Sequence, residues 1–238
     1  MMLKALSSDF LKIRGKGLWF LIFVGPIGLI AMQALNFGLR YDYLTQKYAG
    51  RLWEVLLENI QMFVPISLFL GITLVSSLLA NVEHSTNAWK QLLALPISRG
   101  AVFRSKFALS MILLLVSCTV LAAGVVILGL SLRFDIEEMP VTDNLRLSFL
   151  PFFAARPSLA LFLWLCMTVK NQAVPITLGV MIAISSVFSI QLSEWFPVNW
   201  PMFGYLGPHR ELFVGAGLVT AAIVWSVGSV HFNKKDVN

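Results

Sequence analysis

Apolar residues run in long blocks along this chain, and the charged residues collect between them. Six blocks stand out: about Leu18 to Leu39, Asn59 to Ala80, Phe107 to Leu132, Leu147 to Val169, Ala173 to Ser193 and Leu212 to Phe232. Each is close to the roughly 20 residues with which a helix crosses a hydrocarbon core about 30 Å thick. None shows the alternation over roughly ten residues that marks an outer-membrane barrel strand. The pattern therefore predicts an all-α integral membrane protein with six crossing helices. Only Lys170, Asn171 and Gln172 separate the fourth block from the fifth, which predicts a tight antiparallel pair. The first block follows basic residues, as the apolar region of a signal peptide does. It is too long for one, and no A-x-A cleavage site follows, so it reads as a retained span.

Composition agrees. Of the 238 residues, 58% are hydrophobic and 13% charged, with a mean hydropathy of +0.79. Soluble domains run about 45–50% apolar and about 25% charged. The excess excludes a soluble enzyme, a disordered chain and a disulfide-stapled secreted module. No loop is long enough for a separate domain, so residues 1–238 read as one transmembrane domain. Cys118 and Cys166 fall inside blocks and read as small apolar fillers; no metal site and no cofactor are predicted.

Lys and Arg set the orientation. With the N-terminus inside, the inner segments hold eleven basic residues against three acids, and the outer segments seven against nine. Both termini are then cytoplasmic. The net charge of +6 and the pI near 9.6 are explained by the inner face, without nucleic acid. Ionisable groups are nearly absent within the spans, which argues against a proton-driven carrier. Arg156 is the nearest exception; either it snorkels or its span starts later. Gly25-Pro26, Pro65 and Pro175 read as kinks, and Gly179/Ala183 and Gly217/Ala221 as small-residue pairs for close helix packing.

Two segments outside the spans carry a pattern. In residues 3–16, Leu3, Leu6, Phe10 and Ile13 recur at helical spacing beside Lys4, Lys12, Arg14 and Lys16. This reads as an amphipathic helix lying on the inner leaflet with its apolar side down, or as a basic tail that only sets orientation. The inner loop 81–106 contains Trp89, Leu92 and Leu93 on one face of a short helix that Pro96 ends. Ser98 is placed to cap the helix that follows. An apolar face beside water needs cover, from a partner or from the headgroups and residues 3–16.

Glu83, Trp89-Lys90, Leu92-Leu93, the turn Leu95-Pro96-Ile97-Ser98-Arg99-Gly100, and Lys106 resemble the type 2 ABC exporter permeases. The pattern is closest to the branch of small six-helix permeases associated with lantibiotic immunity and peptide-antibiotic resistance. Residues 3–16 resemble that family's interfacial helix, and Trp53-Glu54 its extracellular segment before the second span. Where the family has Gly-Thr before the Trp, this chain has Asn87-Ala88. The resemblance implies the type 2 ABC transporter transmembrane fold. It makes about Glu83–Leu95 a coupling helix docking on an ATPase subunit, with Glu83, Trp89, Lys90, Leu92, Leu93, Pro96, Ser98 and Arg99 as the coupling residues. No phosphate-binding G-x-x-x-x-G-K-[ST] occurs, so ATP would be bound by a separate subunit, in two copies, and this chain would not be an enzyme. Six spans make half a path, which implies a second permease, identical or a paralogous sister. The cargo would be amphiphilic, a peptide antibiotic or a lipid-like molecule, and the setting the bacterial cytoplasmic membrane with its lipids.

Between the last two blocks lie Trp195, Phe196, Trp200, Phe203 and Tyr205, broken by Pro197, Pro201 and Pro208. They read either as an aromatic belt or, by the resemblance, as interfacial elements forming an extracellular gate. The acidic stretch 133–146 reads as a solvated loop or as an attractor for cationic cargo. Two other classes remain as alternatives: a membrane-embedded immunity or anchor protein that does not transport, and an intramembrane protease. The protease lacks a G-x-S-G motif, and only Ser229 lies near His231.

Overall fold

The computed structural model describes residues 2–85 and 99–234. Every regular element among them is helical. The helices are α1 (Met2–Lys12), α2 (Leu18–Leu39), α3 (Tyr41–Lys47), α4 (Leu52–Gln61), α5 (Val64–Ser85), α6 (Arg99–Ser131), α7 (Val141–Ala154), α8 (Arg156–Thr168), α9 (Ala173–Phe188), α10 (Trp200–Leu206) and α11 (Arg210–Lys234), with a 3-10 turn at Ser189–Gln191.

Four segments are long and apolar enough to cross a bilayer: Leu18–Leu39, Val64–Val82, Gly100–Ser131 and Arg210–Phe232. A fifth span forms if α7 and α8, bent by 46°, are taken together. The fifth block, expected to span over 173–193, is interrupted. Its helix ends at Phe188, and 16 residues reach about 24 Å, short of a core about 30 Å thick.

Several boundaries move for local reasons. The second block was expected from Asn59, but a step at Met62–Phe63 ends the amphipathic α4 and starts α5, so the span shifts toward Ser85. Pro65 and Pro175 sit in the first turns of α5 and α9, where a missing N–H costs nothing, and so open helices rather than kink them. The fourth block starts earlier, at Val141, and breaks at Ala155. Arg156 stands at that break, with its guanidinium over the rings of Phe153 (4.8 Å) and Phe152 (5.9 Å).

The interior is an apolar core with small polar side chains set into it, and apolar side chains also cover the outside. Gln33, Thr73, Ser76, Ser77, Ser110 and Ser186 are buried, while Val219, Ile223 and Val227 of α11 and Leu178, Met181 and Ile184 of α9 face outward. Helices α2, α5 and α6 pack together, α8 lies against α5 and α11, and α10 packs on α7 and α11. Helix α9 packs mainly on α5, less on its sequence neighbour α8, so the expected tight pair is not the dominant contact. The small-residue pairs explain the closest approaches. A methyl at Gly179 would overlap Thr73, and one at Gly217 would come within 2.7 Å of the Ala154 carbonyl oxygen.

Candidate functional site

Helix α1, the end of α5 and the start of α6 meet at one end of the bundle. The chain reverses between α1 and α2 through Gly15 and Gly17, whose φ values of +77° and +75° are open to glycine and strained for other residues. This reversal lays α1 against α6. The face of α1 that turns inward is Leu6, Asp9, Phe10 and Ile13, at helical spacing. Ile13 is fully buried, and Leu6 and Phe10 pack in a cluster with Leu18, Ile22 and Leu109. Leu11 points away, 69% exposed. The apolar face expected on the lipid therefore packs largely on protein, and the helix ends at Lys12 rather than Lys16.

Asp9 lies in the middle of that face, 5% exposed. Ser105 Oγ donates to its Oδ2 at 2.6 Å and Lys106 Nζ to its Oδ1 at 2.9 Å. The Lys106 side chain is 1% exposed. Both charges have left water, a loss of several kcal/mol per ion that only close, fully hydrogen-bonded geometry offsets. Apolar pairs of similar volume often hold two elements together as well or better. What the ion pair adds is position, since any other placement of α1 takes Asp9 away from both Lys106 and Ser105. The sequence offered Lys106 as the start of a span and treated Asp9 only as one inner acid. Its signal was an acid at the centre of an apolar helical stripe.

Helices α5 and α6 are joined by residues 86–98. Trp89, Lys90, Leu92, Leu93, Pro96 and Ser98 lie outside the described residues. Glu83 is in the last turn of α5 and Arg99 opens α6, so both ends of the expected coupling loop fall at the α1 end of the bundle. Lys106 follows Arg99 by seven residues, about two helical turns. Lys4 lies within α1. Phe10 is half-buried, Lys12 is half-buried and engaged, and Arg14 and Lys16 are exposed in the turn after it.

The opposite end is built from α4, α10 and the 132–140 connection. The buried Trp53 donates from Nε1 to the Asp135 carbonyl at 2.7 Å and packs edge-on to Phe134. A cleft of about 560 Å³ opens beside Glu54, Glu58, Asp143, Tyr205 and Arg210. Its acids are paired at the surface: Arg51 with Glu54 (2.7 Å) and Glu58 (3.8 Å), and Arg146 with Asp143 (3.3 Å). The bond to Glu54 holds the Arg51 guanidinium above its ordinary range. Burial, then Asp143, pushes the Tyr205 phenol up.

Of the five aromatic residues expected at a gate, three meet around Phe213 and two lie apart from it. Trp200 is buried with Ala154 and Phe213. Phe203 stacks on Phe213 at 5.5 Å, and the exposed Trp195 touches the same ring at 5.9 Å. Phe196 is exposed, and Tyr205 lines the cleft beneath Arg210. His231, weighed above as a protease base, accepts a hydrogen bond at Nδ1 from Trp164 Nε1 at 3.1 Å. That bond ties α11 to α8.

Long apolar helices, an apolar outer surface and a charge-locked helix folded under one end define a multi-pass helical membrane protein. Sequence comparison narrows the class. A family model described as ABC-2 family transporter protein matches residues 5–186, and the chain belongs to that family. It is therefore a membrane component of the ABC transport machinery, which works with an ABC ATPase partner. No curated protein and no solved structure matches it.

Proposed function

We propose that this chain is the permease subunit of an ABC exporter that removes an amphiphilic cargo, such as a lantibiotic or other peptide antibiotic, from the bacterial cytoplasmic membrane and so confers immunity or resistance. In this reading both termini and residues 86–98 face the cytoplasm, and six membrane segments contribute, with the short α9 as one of them. Two ATPase subunits dock on the coupling segments of two permeases, this chain paired with itself or with a sister. Family membership supports the exporter class, and the sequence around Trp89 supports the docking role.

The observation that carries the reading is the Asp9–Lys106 lock. It ties α1 to the helix that leaves the 86–98 segment, so a push delivered there moves α1 and α6 as one body. ATP binding would close the ATPase pair, displace this body, and shift the bundle between two states that bind cargo differently.

The test is co-purification of the full chain with its ATPase. Trp89→Ala combined with Leu92→Ala is expected to lower the ATPase recovered at least fivefold, with the same amount of permease in the membrane. Unchanged recovery together with unchanged cargo-stimulated ATP hydrolysis would refute the docking role.

A further inference from the structure

Arg156 stands at the α7–α8 break, within a bent span. The cation before it, Arg146, is ten residues earlier, and the cation after it, Lys170, is fourteen later. At helical rise those are about 15 Å and about 20 Å of chain. Packing gives the same depth. Phe152, one of the two rings beneath the guanidinium, packs in one cluster with Leu114 and Cys118, which lie at the centre of the Gly100–Ser131 span. In a hydrocarbon core about 30 Å thick, Arg156 is therefore close to the midplane, too far from either headgroup layer for its side chain to snorkel out.

Its charge is unanswered within the chain. The residue is half-buried. Its Nε is out of solvent without a hydrogen-bond partner, and no hydrogen bond or ion pair holds the guanidinium among the described residues. The group lies over the rings of Phe153 at 4.8 Å and Phe152 at 5.9 Å, which attract a cation without neutralising it. Lys106, also buried, has Asp9. No Asp or Glu occurs within residues 18–39, 59–80, 107–132, 147–193 or 212–232. Neither this chain nor a second copy of it therefore brings a carboxylate to the depth of Arg156. An ionised side chain at the bilayer centre is costly, and it persists where it is paired or lies on a ligand path. Transporters place ligand sites near the midplane at broken helices.

We propose that Arg156 anchors a midplane binding site for a long-chain aliphatic carboxylate. The planar carboxylate accepts from the guanidinium fork, two flat groups whose geometries match, and the tail stays in the surrounding hydrocarbon. Charge and depth select this ligand. One guanidinium balances one carboxylate, so the pair is neutral, whereas a phosphate monoester carries nearly two charges and no second cation stands between Arg146 and Lys170. A phospholipid keeps its phosphate in the headgroup layer, about 15 Å from the midplane. The site does not rest on the exporter reading, although it would give the amphiphile of that reading an acidic head.

Photolabelling of the full chain in phospholipid nanodiscs tests it, with no ATPase present, so that the result is independent of docking and export. The probe is palmitic acid with a diazirine near its carboxyl end, used at alkaline pH where the acid is ionised, and labelled peptides are mapped by mass spectrometry. Label is expected within 149–160, reduced at least fivefold by excess palmitate and less than twofold by hexadecanol or methyl palmitate, which keep the tail and lack the charge. Arg156→Gln should lower the label at least fivefold, and Arg156→Lys, which keeps the charge, should retain more of it than Arg156→Gln. Melting temperatures of both variants show that the fold is intact; should either fail to fold, the competition series on the unaltered chain decides alone. A parallel sample carries a phospholipid with a diazirine beside its phosphate. Label from it at 149–160 that palmitate does not displace would give the counter-charge to the bilayer and overturn the proposal. Equal competition by hexadecanol and palmitate, palmitate label confined to outward-facing residues such as Val219 and Ile223, or label undiminished in a folded Arg156→Gln would each overturn it as well.

Discussion

Removing the Asp9 carboxylate should release α1 from the bundle. The pair is short, 2.9 Å, with side-chain exposures of 1% and 7%. At an effective dielectric near 20, charges at that separation attract by about 6 kcal/mol, a gross figure that desolvation largely offsets. Breaking such a pair by deleting one partner costs about 3–5 kcal/mol, because the surviving charge stays buried without its counter-ion. Asp9→Ala also strips Ser105 of its acceptor, and a hydrogen bond to a charged group contributes about 1.5–3 kcal/mol by itself. Lys106 has further contacts, so Asp9 is the cleaner position to change.

Hydrogen exchange on the full chain in nanodiscs reads the result. At about 1.4 kcal/mol per tenfold, a loss of 3–5 kcal/mol speeds exchange of the α1 amides by two to more than three powers of ten, up to the rate of a free helix. Exchange in α8 and α11, which do not touch Asp9, should stay within a factor of about three. Ser105→Ala alone should weaken protection of α1 by about tenfold or more, yet add nothing in the Asp9→Ala background, since its partner is already gone. Two outcomes would sink the reasoning: exchange of residues 2–12 that hardly changes in Asp9→Ala, or strictly additive effects of the two substitutions.

Two further substitutions probe the packing. Gly217→Ala puts a methyl 2.7 Å from the Ala154 carbonyl oxygen and 2.9 Å from its Cα, backbone that cannot step aside. It should cost about 1–3 kcal/mol and lower the detergent melting temperature by roughly 2–12 °C, whereas Gly215→Ala, with nothing within 4 Å, should leave it unchanged or raise it. Trp53→Phe keeps an aromatic ring beside Phe134 but loses the 2.7 Å bond to the Asp135 carbonyl. A loss of about 1–3 kcal/mol is expected in thermal or denaturant unfolding, and an unchanged midpoint would show that the bond contributes nothing.

The spans were legible because hydrophobic length is a local property, and α2, α6 and α11 lie close to where the apolar blocks put them. Breaks within apolar sequence were not. Pro151 stands in a run, Phe149 to Ala155, whose hydropathy hides it, and only Arg156 hinted at the bend. The start of α5 was misplaced because Asn59 and Ile60 belong to an amphipathic helix whose buried side, Trp53, Leu56 and Ile60, reads as part of the same block. Asp9 escaped notice as a site because its partners, Ser105 and Lys106, lie 96 and 97 residues away. No periodicity connects residues so distant. The aromatic cluster was legible as a cluster, but not which rings pack inward: Trp200 and Trp195 differ in their relation to Phe213, a residue on another helix.

The two ends of the bundle are held by different physics, and the difference suits a lever. At the α1 end a fully buried ion pair favours one placement of α1, and on the proposed reading a push on α6 would be transmitted to it. At the far end the ion pairs Arg51–Glu54 and Arg146–Asp143 are about half exposed, and pairs in water contribute little and exchange partners freely. There the short α10 rests on α7 and α11 around the cleft, with Trp200 buried against Ala154 and Phe213. Between the ends, the α7–α8 bend at Ala155 is the one place among the described residues where a span bends this sharply, and Gly217 lets α11 lie directly on that bend. A displacement entering through α6 would reach α7 across their shared interface and find the break. On the proposed reading, motion would collect at Ala155 because the span is already broken there.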